Sequence, residues 1–193
     1  MELLIIILLV GTSLAGLTFI VERGLALRWK KVVPPEVENA VENCLAASDL
    51  PMLRRVCEQA PSPLSRLLLL ADKNRDWPFE ENVDALQTRA RYEVVKLERG
   101  LVILEIVVGI APLLGLVGTI YGLIILFGGM SAAASGDNSN IANGIALALR
   151  ATLMGLLTAI PSLVAWSYYN KKVETLAVEM ETLCDEFLRR QYR

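Results

Sequence analysis

The sequence predicts an all-α membrane protein with three transmembrane helices and long helical extensions on one side of the bilayer. Three observations carry that prediction. Three stretches of the 193 residues are long and apolar enough to cross a membrane, in a chain that is 54% hydrophobic. The basic residues fall almost entirely on one side of those stretches. Finally, no segment shows the period-two alternation of a half-buried strand.

A spanning helix needs about 20 mostly apolar residues. Leu3 to Val21 meets this, interrupted only by Gly, Ser and Thr. It reads as an uncleaved anchor over residues 1–22. No basic region precedes it, and Glu22-Arg23-Gly24 stands where a signal peptide would carry its cleavage site. Arg28-Trp29-Lys30-Lys31 follows, an aromatic among cations that suits the headgroup level, and Pro34-Pro35 then stops the helix. Residues 23–100 read as a helical domain. Its first part is a set of short helices punctuated by Pro51, Pro61 and Pro63, with Cys44-Leu45, Leu53, Val56 and Leu64 to Leu70 as candidate core. From Pro78 the acidic Glu80, Glu81 and Asp84 favour a helix start. No breaker occurs before Gly100, which predicts one long helix running straight into the second apolar block, 101–130. A short loop over 131–140 leads to the third block, 141–169. That block continues into a tail, 170–193, where Leu176, Leu183 and Phe187 recur at helical spacing.

Charge orients the chain. Of 19 Lys and Arg residues, 13 lie between Arg23 and Arg99, five between Lys171 and Arg193, and one, Arg150, inside the third block. Cations are retained on the cytoplasmic side. The N-terminus and the loop 131–140 are therefore expected outside, and residues 23–100 and the C-terminal tail inside. A net charge of −2 gives no reason to expect nucleic-acid binding. There is no histidine, which removes histidine-based catalysis and proton shuttling. No Walker loop, HExxH or dinucleotide fingerprint is present, so an enzyme, a metal centre and a bound cofactor are not expected. Cys44, Cys57 and Cys184 have no metal-like spacing and read as packed thiols.

Within the bilayer, Ala111, Gly115, Gly118, Thr119 and Gly122 fall on one helical face, and Ala148, Thr152, Gly155 and Ala159 form a matching stripe. Small residues let helix backbones approach closely. Thr119 and Thr152 add hydroxyls at mid-membrane. Each can bond its own i−4 carbonyl, and two on matching stripes can also line a narrow polar path; periodicity leaves both readings open. Pro112 and Pro161 each delete a backbone hydrogen bond and mark a kink or a hinge. Glu105 and Arg150 are the charges inside blocks two and three. Glu105 sits near the cytoplasmic end, where it suits either ion recruitment or simple solvation. Arg150, about 200° round the helix from Thr152, is expected to snorkel to the outer headgroups or to contact lipid or a neighbouring subunit.

Ala111-Pro112-Leu113-Leu114-Gly115-Leu116-Val117-Gly118-Thr119-Ile120-Tyr121-Gly122 resembles the second-helix signature of the MotA/TolQ/ExbB proton channel family, nearest its ExbB and TolQ branch. Gly144 to Thr152, followed by Gly155-Leu156 and Ala159-Ile160-Pro161, resembles the third-helix signature. Order, spacing and topology agree over nearly the whole chain. The resemblance implies an inner-membrane ring, a pentamer, around a dimer of a single-span ExbD/TolR-like partner whose Asp carries the ion. It implies that Thr119 and Thr152 face that partner, that the small-residue stripes are packing surfaces facing the pore, and that work reaches the outer membrane through a TonB- or TolA-like protein. Two positions depart from the pattern. Leu147 stands where ExbB and TolQ carry Glu, which brings sodium into consideration beside the proton. Arg150 stands where they carry an apolar residue. A MotA-like stator is the runner-up, although it would have four spanning segments. Three spans also suit a self-contained channel, or a membrane scaffold without ion conduction.

Overall fold

The computed structural model describes residues 2–44, 47–133 and 139–192. Every regular element among them is helical. They are α1 (Glu2–Ala26), α2 (Trp29–Val32), α3 (Pro35–Asn43), α4 (Leu50–Gln59), α5 (Pro63–Lys73), α6 (Phe79–Glu98), α7 (Leu101–Ala133) and α8 (Ser139–Gln191), with a 3₁₀ turn at Ala47–Asp49. Helices α1, α7 and α8 are long and apolar enough to span a bilayer, so the chain is an all-α, multi-pass membrane protein. Between Ala133 and Ser139 the loop expected over 131–140 lies outside the described residues.

The chain divides into two compact units. Unit one is Met1–Arg23 with Gly100–Tyr168, and unit two is Gly24–Arg99 with Tyr169–Arg193.

Prolines start the short helices of unit two. Pro35, Pro51 and Pro63 occupy the first turns of α3, α4 and α5, where a missing N–H costs nothing because first-turn amides lack intrahelical acceptors. Ser62 caps α5 by accepting from the Ser65 amide at 3.0 Å. The core joins Val37 and Val41 of α3, Leu53 and Cys57 of α4, Leu64, Leu67 and Leu68 of α5, Leu86 of α6, and Leu176, Met180, Leu183 and Phe187 of α8. Cys44, Cys57 and Cys184 are free and buried; burial pushes the Cys57 thiol up to about 11. Near the end of α8, Arg190 donates to the Val41 and Glu42 carbonyls at 3.1 and 3.0 Å, closing the last turn of α3. Tyr192 donates to the Trp77 carbonyl at 2.9 Å and packs edge-on against Phe79.

One expectation is corrected. The helix predicted to run unbroken from Pro78 into the second block is two helices, α6 and α7, separated at Arg99–Gly100. A side chain at position 100 would collide with the Arg23 guanidinium, so glycine admits Arg23 at the point where the helix stops. By contrast α8 runs through Pro161 and on to Gln191 without interruption, in keeping with the lack of a breaker after that proline.

Candidate functional site

Unit one is built on close backbone contact between α7 and α8. A methyl added at Gly115 would lie 3.1 Å from the Ala151 carbonyl oxygen and 3.3 Å from the Thr152 Cα. At Gly155 it would meet the Ala111 carbonyl oxygen at 2.7 Å, at Gly122 the Gly144 carbonyl oxygen at 2.6 Å, and at Gly144 the Gly122 carbonyl oxygen at 2.7 Å. The Gly118 position is closed by the Ala151 methyl. Ala111, Gly115, Gly118 and Gly122 thus face the other helix of the same chain, as do Ala148 and Gly155; all are buried, and so is Ala159. The pairing of Ala111 with Gly155 and Gly122 with Gly144 makes the helices antiparallel.

Helix α1 lies along one side of this seam. A methyl at Gly16 would meet the Ser162 hydroxyl at 2.9 Å and Val107 at 3.2 Å, and Ile5 approaches the Gly118 position at 3.6 Å. Leu9 is fully buried there.

Thr119 and Thr152 sit at the edges of the seam, half-buried. Thr119 Oγ1 donates to the Leu116 carbonyl at 2.6 Å, and Thr152 Oγ1 donates to the Ala148 carbonyl at 3.2 Å. Each proton is therefore directed into its own helix. The oxygen keeps acceptor lone pairs, so each hydroxyl presents acceptor character outward. At about 100° per residue, Thr119 lies about 60° round α7 from the seam, and Thr152 about 60° round α8. Because the helices are antiparallel, these rotations bring both threonines to one side of the pair. Val107, Gly118 and Ser162 are rotated the other way, so α1 occupies the opposite side. Thr152 is level with Gly115, which puts Thr119 about 6 Å further along the axis.

The remaining sequence candidates lie apart from these threonines. Pro112 is half-buried and Pro161 exposed, and both helices continue through them. Leu147 is half-buried. Glu105 is exposed in the second turn of α7, and Arg150 is exposed on the face of α8 away from the seam. Gly144, Ala151 and Ser162 belong to the seam as well, although the stripe read from spacing does not include them. Steps of four, three, four, four and three from Gly144 through Ala148, Ala151, Gly155, Ala159 and Ser162 are the signal that finds them. Among the described residues no cluster of His, Cys, Asp or Glu could hold a metal ion.

Three packed spans, with a glycine-rich seam between α7 and α8 and two hydroxyls at its edge, define a helical multi-pass membrane protein. The profile of the MotA/TolQ/ExbB proton channel family matches residues 58–182, and the chain belongs to that family. It is 30% identical to the Tol-Pal system protein TolQ of Pseudomonas aeruginosa over 95% of this chain and 84% of that protein. A putative biopolymer transport protein ExbB-like 2 of Helicobacter pylori (strain 26695) is 33% identical over 61% of this chain and 79% of the relative. ExbB-like 1 of Synechocystis is 32% identical over 80% of this chain and 62% of the relative. These relatives support the ExbB and TolQ branch.

Proposed function

We propose that this chain is the helix-bundle subunit of an ion-driven motor in the bacterial inner membrane. It assembles as a pentameric ring around a dimer of a single-span ExbD/TolR-like partner and delivers work to the outer membrane through a TonB- or TolA-like protein. Residues 23–100 and 170–193 lie in the cytoplasm, and the N-terminus and the loop 131–140 face the periplasm. This follows from the bias of Lys and Arg toward those two segments.

The observation that carries the reading is the placement of Thr119 and Thr152. Both flank the α7–α8 seam on the side away from α1, with their protons held by their own helices. An outward row of oxygen acceptors can help strip water from a passing cation or accept from a protonated carboxyl on a partner helix. Because Leu147 replaces the family glutamate, this subunit supplies no titrating group at that position. The titrating carboxylate then comes from the partner. Acceptors without a carboxylate are equally suited to sodium, and transport in liposomes that follows a proton gradient and ignores sodium would exclude that ion. One charge crossing 100 mV releases about 2.3 kcal/mol, enough to bias a modest rotation step.

The decisive experiment co-expresses the chain with its neighbouring single-span gene product and compares wild type with Thr119→Val and Thr152→Val. Valine keeps the shape and removes the oxygen. Expected is an assembled complex by native mass spectrometry in which ion-dependent work in cells is lost. Full function in both variants would make the threonines packing residues and favour a scaffold.

A further inference from the structure

Arg150 is the only cation between residues 142 and 168. It is exposed on α8, about 140° round the helix from the seam, beside the exposed Leu149, Leu153 and Leu157. Its depth follows from two packed layers of unit one. At one end Arg23 lies over Gly100. From there α7 rises about 26 Å between Leu101 and Gly118, and Gly118 is closed by Ala151, the next residue after Arg150. Arg150 is therefore about 26 Å from the Arg23 layer, close to the thickness of a hydrocarbon core of about 30 Å. Ile5 reaches the same layer, so α1 also begins near this depth.

The direction of the side chain agrees with its depth. Helical side chains lean toward the N-terminus of their helix, and α8 starts at the far membrane boundary. The guanidinium is thereby aimed out of the hydrocarbon, toward Asn143. That residue is exposed on nearly the same face, about 10 Å further toward the N-terminus of α8. Within the spans, residues 3–21, 101–128 and 142–168, the only carboxylate is Glu105, about 20 Å away in depth; Glu2, just ahead of the first span, is the acid of α1 nearest the Ile5 layer in sequence. Copies of the chain related by an axis along the membrane normal keep that offset, so Glu105 of a second copy does not reach Arg150.

We propose that Arg150 is a phospholipid site, its guanidinium forking onto the headgroup phosphate in the leaflet on the side where α7 connects to α8. The planar fork matches two phosphate oxygens, which a lysine ammonium cannot do.

The test uses the full chain as the assembly that purifies from membranes, in wild-type, Arg150→Gln and Arg150→Lys forms. Native mass spectrometry reads retained phosphatidylglycerol. Thermal melting reads protection by phosphatidylglycerol, by diacylglycerol, which lacks the phosphate, and by inorganic phosphate. Wild type should retain lipid about tenfold better than Arg150→Gln, one good charge-assisted contact's worth, with Arg150→Lys between them. Only phosphatidylglycerol should raise the wild-type melting temperature. Equal lipid retention in wild type and Arg150→Gln overturns the proposal, as does equal protection by diacylglycerol or inorganic phosphate. It is also overturned if Arg150→Gln dissociates the assembly with lipid retention unchanged. Non-additive losses in Arg150→Gln and Glu2→Gln would likewise overturn it, because the partner would then be a protein carboxylate.

Discussion

The two units of this chain solve the packing problem with opposite side chains. Unit two buries Leu, Met and Phe around α5 and α8. Unit one joins α7 and α8 through Gly and Ala, and most of its Leu and Ile residues are exposed, with Ile5, Leu9, Leu101 and Leu104 buried. In water, removing large apolar side chains from solvent is the main favourable contribution. In lipid that contribution vanishes between helices, because the surrounding tails are as apolar as leucine, and close backbone approach takes its place. The same substitution therefore has opposite consequences in the two units: unit two suffers when a side chain shrinks, and unit one suffers when one grows.

Two substitutions sharpen this contrast. Phe187 is 1% exposed in the unit-two core, and Phe187→Ala should lower stability by about 3–5 kcal/mol through lost burial and a residual cavity. Gly122→Ala adds a single methyl, 2.6 Å from the Gly144 carbonyl oxygen. It should cost about 1–3 kcal/mol, the usual range for overpacking, because the obstacle is backbone and cannot swing aside. Thermal unfolding of the full chain in detergent, with hydrogen exchange to localise each loss, checks both. A harmless Gly122→Ala would mean that α7 and α8 are less tightly apposed than their glycines indicate.

The sequence makes some of this architecture legible and hides the rest for identifiable reasons. The three spans are written in long apolar blocks, and Pro51 and Pro63 punctuate short helices as expected, while Pro35, read only as a helix stop, also opens α3. Leu176, Leu183 and Phe187 show their helical period because α8 has no breaker after Pro161. The separation of α6 from α7 is only hinted at by Gly100, and nothing in the spacing shows that Arg23 sits over that glycine. At the candidate site, residue types are legible but register is only partly so. Spacing alone counts Thr152 into the small-residue stripe, whereas Ala151 fills the seam and Thr152 stands at its edge. A one-residue difference on a helix is about 100°, and that rotation separates a buried packing residue from one able to meet an ion.

Glu93 shows the same limit in unit two and gives the smallest effect expected here. Nothing in the sequence singles it out; it stands four residues after Arg89 and three before Lys96 on α6. Its side chain is fully buried; Arg66 of α5 donates to it through Nε at 3.1 Å and Nη2 at 2.5 Å, and Arg89 at 3.2 Å and Lys96 at 3.7 Å form ion pairs with it. Burial pushes the carboxyl up, but the Arg66 hydrogen bonds and the three cations outweigh it and hold Glu93 below the ordinary carboxylate range. A carboxylate depressed by folding stabilises the native state at pH values above its unfolded pKa. That contribution is lost as pH falls through the folded value. The three cations are each partly exposed and can turn to water, so Glu93→Gln should cost only about 1–2 kcal/mol at neutral pH. The difference between wild type and Glu93→Gln should shrink as pH drops below about 4, the usual carboxylate region. Melting temperatures of the two proteins measured from neutral to acid pH give the answer. A difference that holds constant into acid would mean that Glu93 acts through packing shape rather than charge.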